Sequence, residues 1–200
     1  MPNFAGDFSN AETTVGRLGL AQEVSDNWVL EAELTGRETQ GVFRLSSVFG
    51  AETQNSTQDR KTLELTPRFI GFLPSLNNTM LTIGADLLNS DYAWNSRFGE
   101  QLNEQTQNSL YLQAQVPATS LLDVTVGVRY ARVENELRDS GGFALYPAGI
   151  DIDDSVTVGT IGLSYKASDR WRVLLRADQN YRFAKVDEFL QPAYTPSFSP

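Results

Sequence analysis

Strict alternation of apolar and polar residues, recurring in eight separate segments, constrains this chain more than any other feature of its sequence. Successive side chains of a β-strand point to opposite faces, so such a pattern writes one apolar and one polar face. The clearest case is 122–130, where Leu122, Val124, Val126, Val128 and Tyr130 oppose Asp123, Thr125, Gly127 and Arg129. The same reading gives strands at 14–22, 28–37, 61–70, 79–88, 109–116, 157–167 and 171–181. The apolar face carries residues such as Leu18, Leu34, Leu65, Ile83, Leu112, Ile161 and Leu175. The opposite face carries Glu31, Glu33, Arg37, Glu64, Arg68, Asp86, Arg129, Arg172 and Arg176. The expected fold is therefore all-β and antiparallel.

The spacing of these segments sets the topology. Short links at 23–27, 71–78, 117–121 and 168–170 alternate with long polar ones at 38–60, 89–108 and 134–156. Short turns at one end and long loops at the other are the layout of an up-and-down barrel that crosses a membrane. An internal repeat supports one continuous sheet. The thirteen residues from Gly16 to Trp28 align without gaps on Gly159 to Trp171, with six identities. Each copy is a strand, a Ser-Asp turn and a Trp that opens the next strand.

Alternation alone leaves open whether the apolar face is buried around a ligand or shown to lipid. Two features favour lipid. Aromatic residues on the apolar face cluster at strand ends: Trp28, Phe69, Tyr165 and Trp171 by the short turns, Tyr130 and Tyr181 by the long links. Rings at both ends of an apolar band match interfacial girdles. The polar face mixes both signs of charge, as suits a hydrated lumen. No run of 18 apolar residues occurs, so strands are the only means by which this chain could span a bilayer.

Composition removes several function classes. The chain has no Cys and no His, which excludes disulfides, thiolate or imidazole metal sites and His-dependent nucleophilic catalysis. Its net charge of −9 makes a polyanion an unsuitable partner, so no nucleic acid is expected. No cofactor is expected. Glu31 and Glu33 share a face as an acid/base pair would, but the Arg residues around them predict a structural ion-pair network. Asp151, Asp153 and Asp154 offer carboxylates for Ca²⁺ but lack the glycine of an EF-hand loop; a solvated acidic loop is the expectation.

Several local stretches resemble a known family. Residues 180–188, Asn-Tyr-Arg-Phe-Ala-Lys-Val-Asp-Glu, are similar to a segment near a strand end in TonB-dependent outer-membrane receptors. Residues 109–115 followed by 123–130 resemble a hairpin of the same family, and Leu65-Thr-Pro-Arg68 and Gly84-Ala-Asp86 sit at corresponding places. The resemblance covers about 14–190. It implies a section of a receptor that imports iron complexes or similar scarce nutrients across the outer membrane of a Gram-negative bacterium.

On that reading residues 1–200 are part of one barrel domain, with strands over about 14–182. A plug domain and further C-terminal strands would lie elsewhere. The partners implied are outer-membrane lipid, the plug, TonB and a metal-chelate ligand. The inward charges Glu31, Glu33, Arg37, Glu64, Arg68, Asp86, Arg129, Arg172 and Arg176 would face the plug, and Tyr92, Trp94, Phe98 and Tyr146 in the long links become candidate ligand contacts. The alternatives are a stand-alone small barrel serving as adhesin or anchor, and a soluble carrier of an apolar ligand. An open eight-stranded sheet with these polarities is expected to be a middle section of a larger barrel.

Overall fold

The computed structural model describes residues 8–46, 53–96, 99–141, 144, 146–186 and 188. They form one antiparallel sheet in which every strand pairs with its sequence neighbours. The strands are β1 (Phe8–Ser25), β2 (Trp28–Ser46), β3 (Thr53–Leu73), β4 (Thr79–Ser96), β5 (Gly99–Pro117), β6 (Leu122–Asp139), β7 (Ile150–Lys166) and β8 (Arg172–Asp178). A 3₁₀ turn, Pro74–Leu76, precedes β4, and Asn77 and Asn78 complete it with positive φ. Among the described residues nothing pairs β8 with β1, so the sheet is open.

All eight expected strands are present, but seven of them are longer than the alternation indicates. The polar links at 38–60, 89–108 and 134–156 are largely strand, not loop. β4 and β5, for example, are paired from Met80 with Gln115 to Ser96 with Gly99. The physical reason is length. A membrane strand needs about 9–11 residues to cross the hydrocarbon, whereas β1 to β7 run from 17 to 21. The excess stands clear of the apolar band as a hydrogen-bonded rampart. With water on its outer side, it no longer needs apolar residues there.

β6 shows where the change occurs. Up to Tyr130 its apolar residues face outward and are exposed, with Val126 at 43% and Val128 at 48%. From Ala131 the pattern inverts: Ala131 is 0% and Val133 4% exposed on the inner face, while Arg132, Glu134, Glu136 and Arg138 point out. The lower part thus presents an apolar outer surface that continues across all eight strands. Soluble monomers rarely expose a contiguous apolar surface of more than a few hundred Å². The soluble-carrier arrangement, with the apolar face turned inward, is the opposite of what is observed.

The repeated hairpin is reproduced down to its irregularity. Ser25 pairs with Trp28 across Asp26-Asn27, and the register shifts by one residue at Val24. In the second copy Ser168 and Trp171 bond each other across Asp169-Arg170. The N–H groups of both Ala167 and Ser168 donate to the Trp171 carbonyl, at 3.0 and 3.2 Å. Two donors on one acceptor is a β-bulge, and it falls at the position equivalent to Val24. Both tryptophans lie on the outer face. Trp28 lies across Gly71, where any Cβ would meet the indole at 2.3 Å.

β8 departs from the sequence expectation. It ends at Asp178, and the chain then leaves the sheet and crosses its inner face. The turn is made by Gln179, whose backbone N–H donates to the Gly159 carbonyl while its side-chain Oε1 accepts from the Gly159 N–H, both at 3.0 Å. Tyr181 consequently lies on the inner face rather than in the outer girdle. Val186, 2% exposed, lies against the inner wall. Residues 179–186 are called the strap below.

Candidate functional site on the inner wall

The inner face has two storeys. The lower one is charged. Arg68 of β3 faces Glu31 of β2 directly across the ladder and holds it with Nε and Nη2 at 2.7 and 2.6 Å. Glu33 is approached by Arg17 of β1 at 3.5 Å. The two glutamates are therefore members of an ion-pair network and not an acid/base pair. Both pairs are substantially exposed on this open wall, where such contacts are worth ~0–1 kcal/mol each.

A tighter group sits one strand further on. Asp86 of β4 accepts from Arg129 Nη1 at 2.7 Å and from Ser109 Oγ at 3.1 Å. The Arg129 guanidinium also lies 4.7 Å from the centre of the Tyr111 ring. That ring crosses Gly84, where a Cβ would be only 2.4 Å from the phenol; glycine is needed so that the aromatic can lie flat on the backbone. Arg176 bonds Asp178 at 2.7 Å, and Thr160 donates to the same carboxylate. Arg37, Glu64 and Arg172 occupy inner-face positions of β2, β3 and β8, as their alternation requires.

The upper storey is neutral and buried. Asn103 and Gln105 of β5 donate to the strap carbonyls of Val186 and Ala184 at 2.7 and 2.8 Å. Gln105 also donates to Asn135 Oδ1 of β6 at 2.8 Å. Asn103 is 1% and Asn135 2% exposed, so these amides act as fixed pegs for the strap. Below it lies a recess of about 790 Å³ that reaches from Arg37 of β2 to Arg176 of β8. At the far end of the strap Arg182 holds Glu188 at 2.6 Å and the Lys185 N–H donates to the same carboxylate. These hydrogen bonds lower the Glu188 pKa below the ordinary value.

The aromatic candidates are separated by the structure. Tyr92 and Trp94 belong to β4, not to a loop, and both face inward. Tyr92 is 6% exposed, beneath the guanidinium of Arg60 at 5.9 Å. Tyr146 is exposed beyond the end of β6, where its N–H donates to Asp139 Oδ1; Phe98 lies outside the described residues. The acidic triplet cannot converge on an ion. Asp151 and Asp153 are on the outer face of β7 and Asp154 on the inner, and among the described residues no group of three potential metal ligands exists.

Sequence reasoning missed Ser109, Tyr111, the amide pegs and the strap. The signal for Tyr111 was Gly84 on the same face of the neighbouring strand. The signal for the buried upper storey was the inversion at Ala131.

A family model described as TonB dependent receptor-like, beta-barrel matches residues 2–200. The chain belongs to that family. No curated protein sequence matches it. Among solved structures, the ferric citrate transporter FecA in its unliganded form is similar, with a TM-score of 0.72 at 11% identity over 86% of this chain. The ferric yersiniabactin uptake receptor FyuA from Yersinia pestis gives 0.67 at 18% over 85%. The siderophore receptor PiuA from Acinetobacter baumannii gives 0.68 at 11% over 82%. At these identities the likeness concerns the fold. The chain spans 28% of FecA, 28% of FyuA and 31% of PiuA. TonB-dependent receptors are transporters rather than enzymes, in agreement with the absence of a catalytic site from the sequence reading.

Proposed function

We propose that this TonB-dependent receptor-like chain is a wall section of an outer-membrane receptor of a Gram-negative bacterium, one that takes up iron complexes or similar scarce nutrients. The observation that carries the reading is the exposed apolar band on the outside of a sheet whose two edge strands find no partner among the described residues. In lipid such edges demand further strands. The lumen of the whole receptor is taken to hold a plug domain, with Glu31, Glu33, Arg37, Glu64, Arg68, Asp86, Arg129, Arg172 and Arg176 facing it. Tyr92, Trp94 and Tyr146 contribute to a ligand surface at the far end, and TonB supplies the energy.

Far-UV circular dichroism and limited proteolysis of the purified chain, with and without detergent or lipid, test the wall reading. Aggregation in buffer and a protease-resistant β-structure only with amphiphile and flanking receptor strands support it. A soluble, protease-resistant β-monomer in plain buffer sinks it. The transport reading is tested by uptake of labelled iron chelates in cells carrying or lacking the receptor. TonB-independent or unchanged uptake removes it.

A further inference from the structure

The strap and the edge of β7 beside it are each incompletely matched. β7 is paired with β6 up to Ile150, but with β8 only as far as Thr160. From Ile150 to Val158 its other edge has no partner strand among the described residues. Side chains stand in for one. The Gly159 N–H is held by the side-chain Oε1 of Gln179, where a continuing ladder would use the Gln179 backbone carbonyl. The Ser155 N–H is held by Oδ1 of the adjacent Asp154. On the strap side, Asn103 donates to the Val186 carbonyl, but its own Oδ1 is buried with no hydrogen-bond partner among the described residues.

The sequence of 179–186 fits the empty edge. Carrying the β7–β8 register on from Thr160 and Asp178 sets Tyr181 opposite Thr157, in the row of Tyr130 on the outer face. It sets Lys185 opposite Asp153 on that same face, an attractive cross-strand pair, and Val186 opposite Ile152 on the inner face. At Gln179 the backbone carbonyl need only replace the side chain on the Gly159 N–H, so no hydrogen bond is lost at the pivot.

We infer that residues 179–186 are a switch with two seats, the strap across the inner face and a continuation of β8 along β7. The strap seat is held by the Asn103 and Gln105 amides, the burial of Val186 and the Arg182–Glu188 pair. The strand seat replaces these with ladder hydrogen bonds and the Lys185–Asp153 pair. One set of hydrogen bonds and one ion pair are thus exchanged for another, which allows both seats to be populated. The exchange also works as a lid. Residues 179–183 line the recess below the strap, and in the strand seat they leave it and bare the wall beneath. A body that fills the lumen excludes the strap and so completes the rampart at β8. The two seats follow from the register and do not depend on the transport reading.

Disulfide trapping tests this without background, because the chain has no cysteine. In the strap seat Ala184 is held at Gln105 of β5, two strands away from β7. Two strand spacings are about 10 Å, beyond the ~7 Å Cα separation that a disulfide can bridge. In the strand seat Ala184 faces Asp154 directly. The full chain carrying Asp154→Cys and Ala184→Cys is folded in detergent micelles and oxidised, and the cross-link is followed by gel mobility with and without reductant. The expected result is a cross-link in this variant and none with Asp153→Cys and Ala184→Cys, whose cysteines lie on opposite faces of the sheet. Asn103→Leu removes a peg that only the strap seat uses. It should raise the initial rate of cross-linking about fivefold, the scale of one hydrogen bond. Ile152→Cys with Val186→Cys is a second in-register pair, and circular dichroism checks the fold of each variant. No cross-link in either in-register pair, equal cross-linking in the off-register pair, or a rate unmoved by Asn103→Leu overturns the proposal.

Discussion

The two halves of β6 have the same backbone geometry and opposite chemistry. Below Tyr130 the strand shows Val124, Val126 and Val128 to the outside; above it, Ala131, Val133 and Leu137 turn inward and the outside is Arg132, Glu134, Glu136 and Arg138. On the proposed membrane reading, the lower half is stable only where lipid replaces water on its outer face. The upper half is built like an ordinary soluble sheet, with a small core of its own closed by the strap. The boundary between the two solvents is therefore written into one strand as a change of phase in a period of two. A single continuous ladder crosses it without a break.

Substitutions on either side of that boundary should separate the two regimes. The largest effect is expected from Val126→Arg. It places a cation on the lipid face and should cost about 2–4 kcal/mol if the residue lies near the bilayer midplane, measured by urea titration of the vesicle-inserted protein. The matched change Glu136→Lys, ten residues further up, should cost almost nothing in the same assay. Equal losses at both positions would erase the distinction between the halves.

Leu137→Ala comes next. It should cost about 2 kcal/mol, the low end for a buried leucine, because the upper core is shallow. The loss should appear in the protease resistance of the upper storey and not in membrane insertion. Gln105→Leu removes the amide that joins Asn135 to the strap carbonyl of Ala184. Two hydrogen bonds are lost, each worth about 1 kcal/mol, read as faster tryptic cleavage at Arg182 and Lys185.

The smallest effect concerns pH. Glu188 has its pKa lowered below 4.5 by the Arg182 and Lys185 hydrogen bonds. Its contribution to holding the strap is complete above about pH 4.5 and is lost as the pH falls through the lowered value. Tryptic cleavage is too pH-sensitive to follow this. Hydrogen exchange at the Lys185 N–H, corrected for intrinsic rate, should show protection falling as the pH drops through the lowered value, and Glu188→Gln should abolish the change.

The lower storey was legible in the sequence and the upper one was not. Leu122 to Tyr130 alternate because a sheet between lipid and a wet lumen leaves each face a single solvent. In the rampart both faces carry polar residues, such as Gln101, Asn103 and Gln105 inside and Glu100 and Glu104 outside. On β5 period-two reasoning then has no contrast to read, while on β6 the contrast persists with its phase inverted, and in both, strand was taken for loop. The strap was hidden for another reason. Tyr181 shares the parity of the outward series Trp171, Val173, Leu175 and Ala177, interrupted only by Gln179, yet β8 stops at Asp178. The Gln179 side chain occupies the Gly159 N–H; the one trace of this in the sequence is a polar residue at an outward position, which does not by itself tell a strand end from a polar strand residue. The partners of Glu31 and Asp86 became visible only with the strand register.

The two copies of the bulged hairpin have a consequence for how the wall sits in its bilayer. They place Trp28 near one flank of the sheet and Trp171 near the other, each at the first outward position after the same two-residue turn. Indole rings favour the headgroup level, so the sheet is moored to one waterline at two widely separated points. A wall held in this way resists rolling about its own long axis, and any movement of the strap has to occur against a frame that keeps a constant draught.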